Sequence, residues 1–208
     1  MFLVSHALVR TSLSQVADVH PRVWRFRKNP HGRPEIDHPV SIPLRFSLSH
    51  TRELAACAIS GAFDIGVDVE TSGDSKDLMA LAERFFAPRE ASALRALPIE
   101  KQIDHFYSIW TLKEAYVKAR GLGLSLPLDC IAFQIDADRI EAKLEGESAD
   151  EQNNWAFCLM RPTPQHWLAI AVKAGSAAPP RIDSRWLVPL KGRIPAAPCP
   201  IVAATHLG

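Results

Sequence analysis

The run from Phe106 to Gly123, Phe-Tyr-Ser-Ile-Trp-Thr-Leu-Lys-Glu-Ala-Tyr-Val-Lys-Ala-Arg-Gly-Leu-Gly, leaves the chain little choice but a long helix with a fixed inner face. Good helix formers dominate it, aromatic residues recur, and Gly121 supplies a natural stop. Phe106, Ile109, Lys113 and Val117 share one stripe, while Trp110, Glu114 and Lys118 share the next. An acid and a base four residues apart on an exposed helix are a surface salt bridge worth a few tenths of a kcal/mol. Glu114 and Lys118 are instead flanked by core residues, which puts them at the rim of an interior. The helix is expected from about Glu100, after Pro98, to Ala119.

Around this helix the chain reads as strands, helix, then strands again. Phe2 to Val19 has loose amphipathic spacing and is expected to be helical. Val23 to Arg27 reads as a short strand, and Asn29-Pro30-His31-Gly32-Arg33-Pro34 is turn chemistry throughout. Three strands follow at Leu44–Ser49, Leu54–Ser60 and Ile65–Glu70, the last two joined as a hairpin through Gly61–Asp64. A polar loop at Ser72–Ser75 leads to helices at Leu78–Phe86 and Pro88–Leu97. Beyond the long helix, strands are expected at Ile131–Ile135, Trp155–Met160 and Trp167–Lys173, with an acidic loop over Glu141–Asn154. From Ala174 onward Pro-rich composition predicts an extended tail, with Arg185–Val188 docking it on the body. The fold class is α+β, in two similar halves, each a small antiparallel sheet packed on a long helix. The division is 1–98, 99–174 and a C-terminal extension over 175–208.

Composition narrows the class of function. Lys and Arg number 24 against 23 Asp and Glu, a net charge of +1 that gives no broad basic field for nucleic acid. A local basic cluster does occur at Arg22, Arg25, Arg27, Lys28 and Arg33. No apolar run is long enough to span a bilayer. Met1 to Leu8 has neither a basic leader nor a small-residue cleavage site, so no signal peptide is expected. Cys57, Cys130, Cys158 and Cys199 are scattered without a Cys-x-x-Cys pair, which points to buried free thiols in a reducing, cytoplasmic setting.

The second informative stretch is Ile65-Gly66-Val67-Asp68-Val69-Glu70. Strand alternation puts Val67 and Val69 on one face and Asp68 and Glu70 on the other, their Cβ atoms roughly 6–7 Å apart. Two carboxylates that close on a buried strand repel unless a cation joins them. Hard oxygen ligands without a Cys/His cluster favour Mg²⁺. Taken alone, Asp-x-Glu is more often an ordinary pair of surface acids. Phe46-Ser47-Leu48-Ser49-His50 ends a strand in a hydroxyl and an imidazole suited to an anion, although a lone His50 is more often structural. Arg33 on its turn is similarly ambiguous between a phosphate contact and solvation.

Together these pieces resemble the Sfp-type 4'-phosphopantetheinyl transferases. The family's Val/Ile-Gly-Val/Ile-Asp-Val/Ile-Glu signature is matched at Ile65–Glu70. Its Trp-Ser/Thr-x-Lys-Glu-Ala/Ser-x-x-x-Lys signature is matched at Trp110–Lys118. Gly32-Arg33-Pro34 matches the Gly-Lys/Arg-Pro turn. Phe46–His50 matches the Phe-Asn-x-Ser-His strand, with Ser47 in the place of Asn. Arg84-Phe85-Phe86 with Glu90, and the loop Gly121–Pro127, are also similar to it. Family members carry a further N-terminal segment with a first strand and basic residues for the coenzyme nucleotide.

The resemblance implies Mg²⁺-dependent transfer of phosphopantetheine from coenzyme A to a serine of an apo acyl or peptidyl carrier protein. Adenosine 3',5'-bisphosphate would be the second product. It implies that Asp68, Glu70 and Glu114 hold the metal, and that Lys118 stabilises the leaving phosphate. Arg33, Ser49, His50 and Lys113 would bind the coenzyme. The serine proton would go to Glu114, to a metal-bound water or to Glu90, the choice among them left open by the resemblance. A monomer is expected, with no nucleic-acid or membrane partner. Two other classes fit parts of the pattern: a non-catalytic coenzyme A or carrier-protein binder, and a Mg²⁺-dependent nuclease. The nuclease leaves the Ser-His strand and the Gly-Leu-Gly-Leu-Ser loop without a purpose and finds no basic groove.

Overall fold

The computed structural model describes residues 2–37, 43–61, 63–73, 77–175 and 180–205. Parts of the expected Ser72–Ser75 loop, of the Gly61–Asp64 link and of the tail lie outside them. Helix α1 (Phe2–Val16) is followed by a small hairpin of β1 (Phe26–Lys28) and β2 (Pro34–Ile36). Then come β3 (Arg45–His50), β4 (Ala55–Ser60) and β5 (Asp64–Thr71). Helices α2 (Leu78–Phe85) and α3 (Pro88–Ala96) lead into the long α4 (Ile99–Arg120). Past two short 3₁₀ turns lie β6 (Ile131–Asp136), β7 (Arg139–Leu144), α5 (Ala149–Asn153), β8 (Trp155–Thr163) and β9 (His166–Lys173). The chain then adds a two-residue hairpin, β10 (Leu187–Val188) with β11 (Gly192–Arg193), and a final strand, β12 (Ile201–Ala204).

The fold is mixed α+β. A six-stranded sheet in the order β5-β9-β8-β12-β7-β6 carries α4 across one face. Leu112, Ala115 and Ala119 of the helix are fully buried against this sheet, among Ala169, Ala171, Phe157 and Leu159. The opposite face of β5 presents Ile65, Val67 and Val69 to Ala56 and Ala58 of β4 and to Val172 of β9. A separate cluster of Val9, Leu13, Trp24, Leu44 and Phe46 seats α1 on the β3–β4 pair. Each large side chain buried in these clusters contributes about 1.5–3 kcal/mol.

Gly66 sets the distance between β5 and α4. A Cβ at this position would stand 1.9 Å from the Ala115 carbonyl oxygen and 2.4 Å from the Ala119 amide nitrogen. The small residues Ala115 and Ala119 on the helix meet a strand residue with no side chain, so backbone meets backbone. That contact brings Asp68 and Glu70 up to Glu114 and Lys118.

Several elements differ from the sequence expectation. β4 does not form a hairpin with β5. It pairs with β3 over six residues, whereas β5 pairs antiparallel with β9 along its whole length. Strand β7 lies partly where an acidic loop was expected. Arg139, Glu141 and Lys143 alternate with Ile140, Ala142 and Leu144, so the charges are the outer face of an amphipathic strand. The tail is extended only in part. Its Ile-Val-Ala-Ala segment inserts between β8, which it meets antiparallel, and β7, which it meets parallel. Ala203 and Ala204 are small enough for that interior place, at 0% and 5% exposure. Among the described residues no helix is long and apolar enough to cross a membrane.

Candidate active site

Asp68 is the centre of the site. It lies on the α4-facing side of β5 and is 3% exposed. Its Oδ1 accepts a hydrogen bond from Ser49 Oγ at 2.8 Å and an ion-pair contact from Lys118 Nζ at 2.5 Å. Lys118 also donates to Ser49 Oγ at 2.9 Å. Asp68 Oδ2, by contrast, is buried with no partner. A buried lone carboxylate oxygen is costly, on the order of 1–3 kcal/mol or more, and marks a place where a cation or donor belongs.

Two more carboxylates face the same point. Glu70 is pushed up to about 7, first by burial and then by the charge of Asp68. Lys118 pulls the value back, Glu114 raises it further, and a hydrogen bond from Trp110 lowers it. Glu114 is likewise raised by burial and by Asp68, with Lys118 opposing. Glu70 and Glu114, both raised beside Asp68 across a strand–helix contact, form with it a site short of positive charge. Lys118, four residues from Glu114, makes its ion pair with Asp68. Trp110 is locked by Phe106, stacked at 5.7 Å, and by Phe85, edge-on at 5.8 Å, so the indole that touches Glu70 is held by the core.

β3 reaches the site through its hydroxyls. Ser47 Oγ accepts from the Val67 amide at 3.0 Å, pinning β3 against the edge of β5 that β9 does not use. Ser49, two residues on, then meets Asp68. Ser47 thus takes a backbone-binding role, and His50 stands exposed at the strand end opposite Ala55.

Glu90 and Lys113 stand apart from this cluster and are brought to each other. Lys113 Nζ lies 2.7 Å from Glu90 Oε2, with side-chain exposures of 0% and 2%. Lys113 further donates to the Leu128 carbonyl at 2.8 Å and to that of Ile131. Glu90 accepts from the Ala87 amide at 2.8 Å and from the Phe133 amide at 2.7 Å. Both oxygens are committed, and neither side chain is open to a substrate. The pair ties α3, α4 and the start of β6 together. Lys113 and Glu114 are sequence neighbours about 100° apart around the helix, which is enough to put one in the core and one in the site.

Arg33 has an engagement the sequence did not suggest. Its Nη1 donates to the Ala119 carbonyl at 2.8 Å and lies 3.8 Å from Asp64 Oδ1. Burial lowers its pKa, with Asp64 opposing. It also lines an open groove of about 320 Å³ with Pro34, Ile36, Leu44, Arg45 and Phe46. Among the described residues no three His, Cys, Asp or Glu side chains are already drawn together closely enough to hold a metal ion. Asp68, Glu70 and Glu114 nonetheless fit one by chemistry: hard oxygens, mutual repulsion, and an unpartnered Asp68 Oδ2.

Comparison with known proteins matches the 4'-phosphopantetheinyl transferase superfamily to residues 64–171, from the start of β5 into β9. The chain belongs to that superfamily. It is 38% identical over 125 residues to 4'-phosphopantetheinyl transferase HetI of Nostoc sp.. That match covers 60% of this chain and 53% of the relative, so it spans about half the relative's length. It is 31% identical over 170 residues to a 4'-phosphopantetheinyl transferase of Bacillus subtilis, covering 77% of this chain and 74% of the relative. A solved holo-(acyl-carrier-protein) synthase of Bacillus anthracis, in complex with coenzyme A, superposes with a TM-score of 0.46 at 20% identity. It covers 54% of this superfamily member and 96% of the solved chain.

Proposed function

We propose that this chain transfers the 4'-phosphopantetheine group of coenzyme A to a serine hydroxyl of an apo acyl or peptidyl carrier protein. Adenosine 3',5'-bisphosphate is released. The observation that carries the reading is the buried, half-satisfied Asp68, faced by Glu70, Glu114 and Lys118 within a transferase superfamily match.

In this reading Asp68, Glu70 and Glu114 hold Mg²⁺, which when bound supplies positive charge to the pyrophosphate oxygens. Glu114, whose proton affinity burial and Asp68 raise in the absence of metal, is the proton acceptor proposed among the chain's own residues. It acts directly or through a water, since a cation on the same carboxylate would weaken it as a base. Glu90 is a poorer candidate because both its oxygens are already bonded. The serine oxygen forms a bond to the phosphorus that carries pantetheine, and its proton goes to Glu114. The bond from that phosphorus to the bridging oxygen breaks, and the electron pair leaves on the adenosine 3',5'-bisphosphate. Lys118, partly exposed and already on a carboxylate oxygen, is positioned to meet that charge. His50 and the Arg33–Arg45 groove are proposed to receive the coenzyme's phosphates. Lys113, being buried, supports the site from behind. The free cysteines among the described residues accord with a reducing, cytoplasmic setting.

The deciding experiment incubates the protein with coenzyme A, Mg²⁺ and an apo carrier protein and weighs the carrier intact. An increase of about 340 Da, the mass of one phosphopantetheine transferred as a phosphoryl group, is expected. Coenzyme A binding without any adduct would instead identify a binder.

A further inference from the structure

The turn before Arg33 is held by one side chain that also reaches across the molecule. Asn29 Oδ1 accepts from the amides of His31 and Arg33, both at 2.9 Å, and so closes the turn. The backbone repeats the closure, Asn29 to the Arg33 carbonyl at 2.9 Å and Gly32 to the Asn29 carbonyl at 3.0 Å. Asn29 Nδ2 then donates to the carbonyl of Gly121, directly after α4, at 3.1 Å. With Arg33 on the Ala119 carbonyl, two carbonyls at the helix end have side-chain donors from a distant turn. The approach is close. Gly121 has φ +66°, and a Cβ there would stand 2.9 Å from Arg33 Cδ and 3.5 Å from Asn29 Nδ2.

What this clasp closes over is the last turn of α4, which carries Lys118. A helix end whose carbonyls lose their partners frays from the last turn inward. Fraying would move Lys118 off Asp68 and Ser49 first, while Glu114, a turn earlier, stayed packed. We propose that Asn29 is a positioning residue for Lys118, holding its ammonium in the site by fastening the C-terminal turn of α4 to the Asn29–Arg33 turn. The inference rests on the transferase reading for its kinetic consequence, though not for its structural one.

Asn29→Asp separates the two jobs of the side chain. It keeps an oxygen for the His31 and Arg33 amides, loses the donor to Gly121, and sets a negative charge against the helix's carbonyl end. Two measurements are made on the full chain. In the first, acetic anhydride labels the lysines and peptide mass spectrometry gives the rate at Lys118 relative to Lys28 and Lys191. A rise of severalfold at Lys118 alone is expected, and an unchanged rate would overturn the proposal. In the second, transfer from coenzyme A is followed. kcat should fall about tenfold with KM for coenzyme A within about twofold, the signature of a misplaced group acting in the transition state. A loss confined to KM would also overturn it. Should the wild-type chain transfer nothing, the transferase reading falls while the labelling comparison still decides the clasp. Asn29→Ser, which can close the turn but cannot reach Gly121, provides the same comparison if the aspartate variant does not fold.

Discussion

Glu70 shows how residue-level electrostatics become a pH dependence. An unfolded glutamate titrates near 4.5, and in the folded chain burial and Asp68 raise Glu70 to about 7. The folded state therefore holds this proton more tightly than the unfolded state does. Its contribution to stability is full below about 4.5 and is lost as pH rises through about 7. Thermal melts of metal-free protein across that window should show wild type losing stability relative to Glu70→Gln as pH increases. The stabilisation by added Mg²⁺ should grow over the same range, because the cation needs the ionised carboxylate. A flat difference between the two proteins would remove Glu70 from the cluster. Lys118→Met tests the neighbouring charge: turnover should drop by about 10²-fold or more under conditions where the variant remains folded, as for loss of one group that meets developing charge. The melting curve should also shift down, because the buried Asp68 loses its ion-pair partner.

The residues that form this site were legible because they lie at periods a strand and a helix impose. Asp68 and Glu70 alternate with valines, and Trp110, Glu114 and Lys118 recur every fourth position. What the spacing left unread was the use of each side chain. Lys113 and Arg33 match signature positions, but one is sealed in a core ion pair and the other holds a helix end. Asn29 was visible only as turn chemistry, because its second partner is distant in the chain and nothing local announces it.

At the scale of elements, two contacts fix where α4 lies. The first is Gly66 against Ala115 and Ala119. Gly66→Ala forces a methyl into backbone and cannot be absorbed by a flexible side chain, so a cost of about 3 kcal/mol or more is expected. Denaturant unfolding measures it, and activity should fall even under conditions where the variant remains folded, because strand and helix must separate. The second is the Glu90–Lys113 pair. Removing one partner leaves a buried charge alone, and either Glu90→Gln or Lys113→Met should cost about 3–5 kcal/mol. The double variant should lose less than the sum of the two. Additive losses in that cycle would show that the pair does not act as a unit. The helices were readable from their caps and apolar stripes. Of the β6–β7 hairpin only β6 was readable, since the outer face of β7 is charged enough to look like a loop, and the pairing of β5 with β9 depends on contacts far apart in the chain.

At the scale of the whole molecule, the superfamily match ends at residue 171, yet the six-stranded sheet does not. β12 stands between β8 and β7, with Ala204 donating to the Asp138 carbonyl and Thr205 to that of Phe157. Shortening the chain to end before Pro198 should therefore loosen β6 and β7 while sparing β5, β9 and α4. Amide hydrogen exchange resolves the two regions; equal protection in both would mean the strand is dispensable. A strand made after all its neighbours has a further consequence for assembly. As the chain leaves the ribosome, β7 and β8 exist side by side with their inner edges open before their partner has been synthesised. The sheet must either wait with two bare edges or pair them with each other and later part them. The final closure of this fold thus waits for the β12 segment to be made, and a synthetic peptide of that segment, supplied to the shortened chain, would have a ready slot to enter.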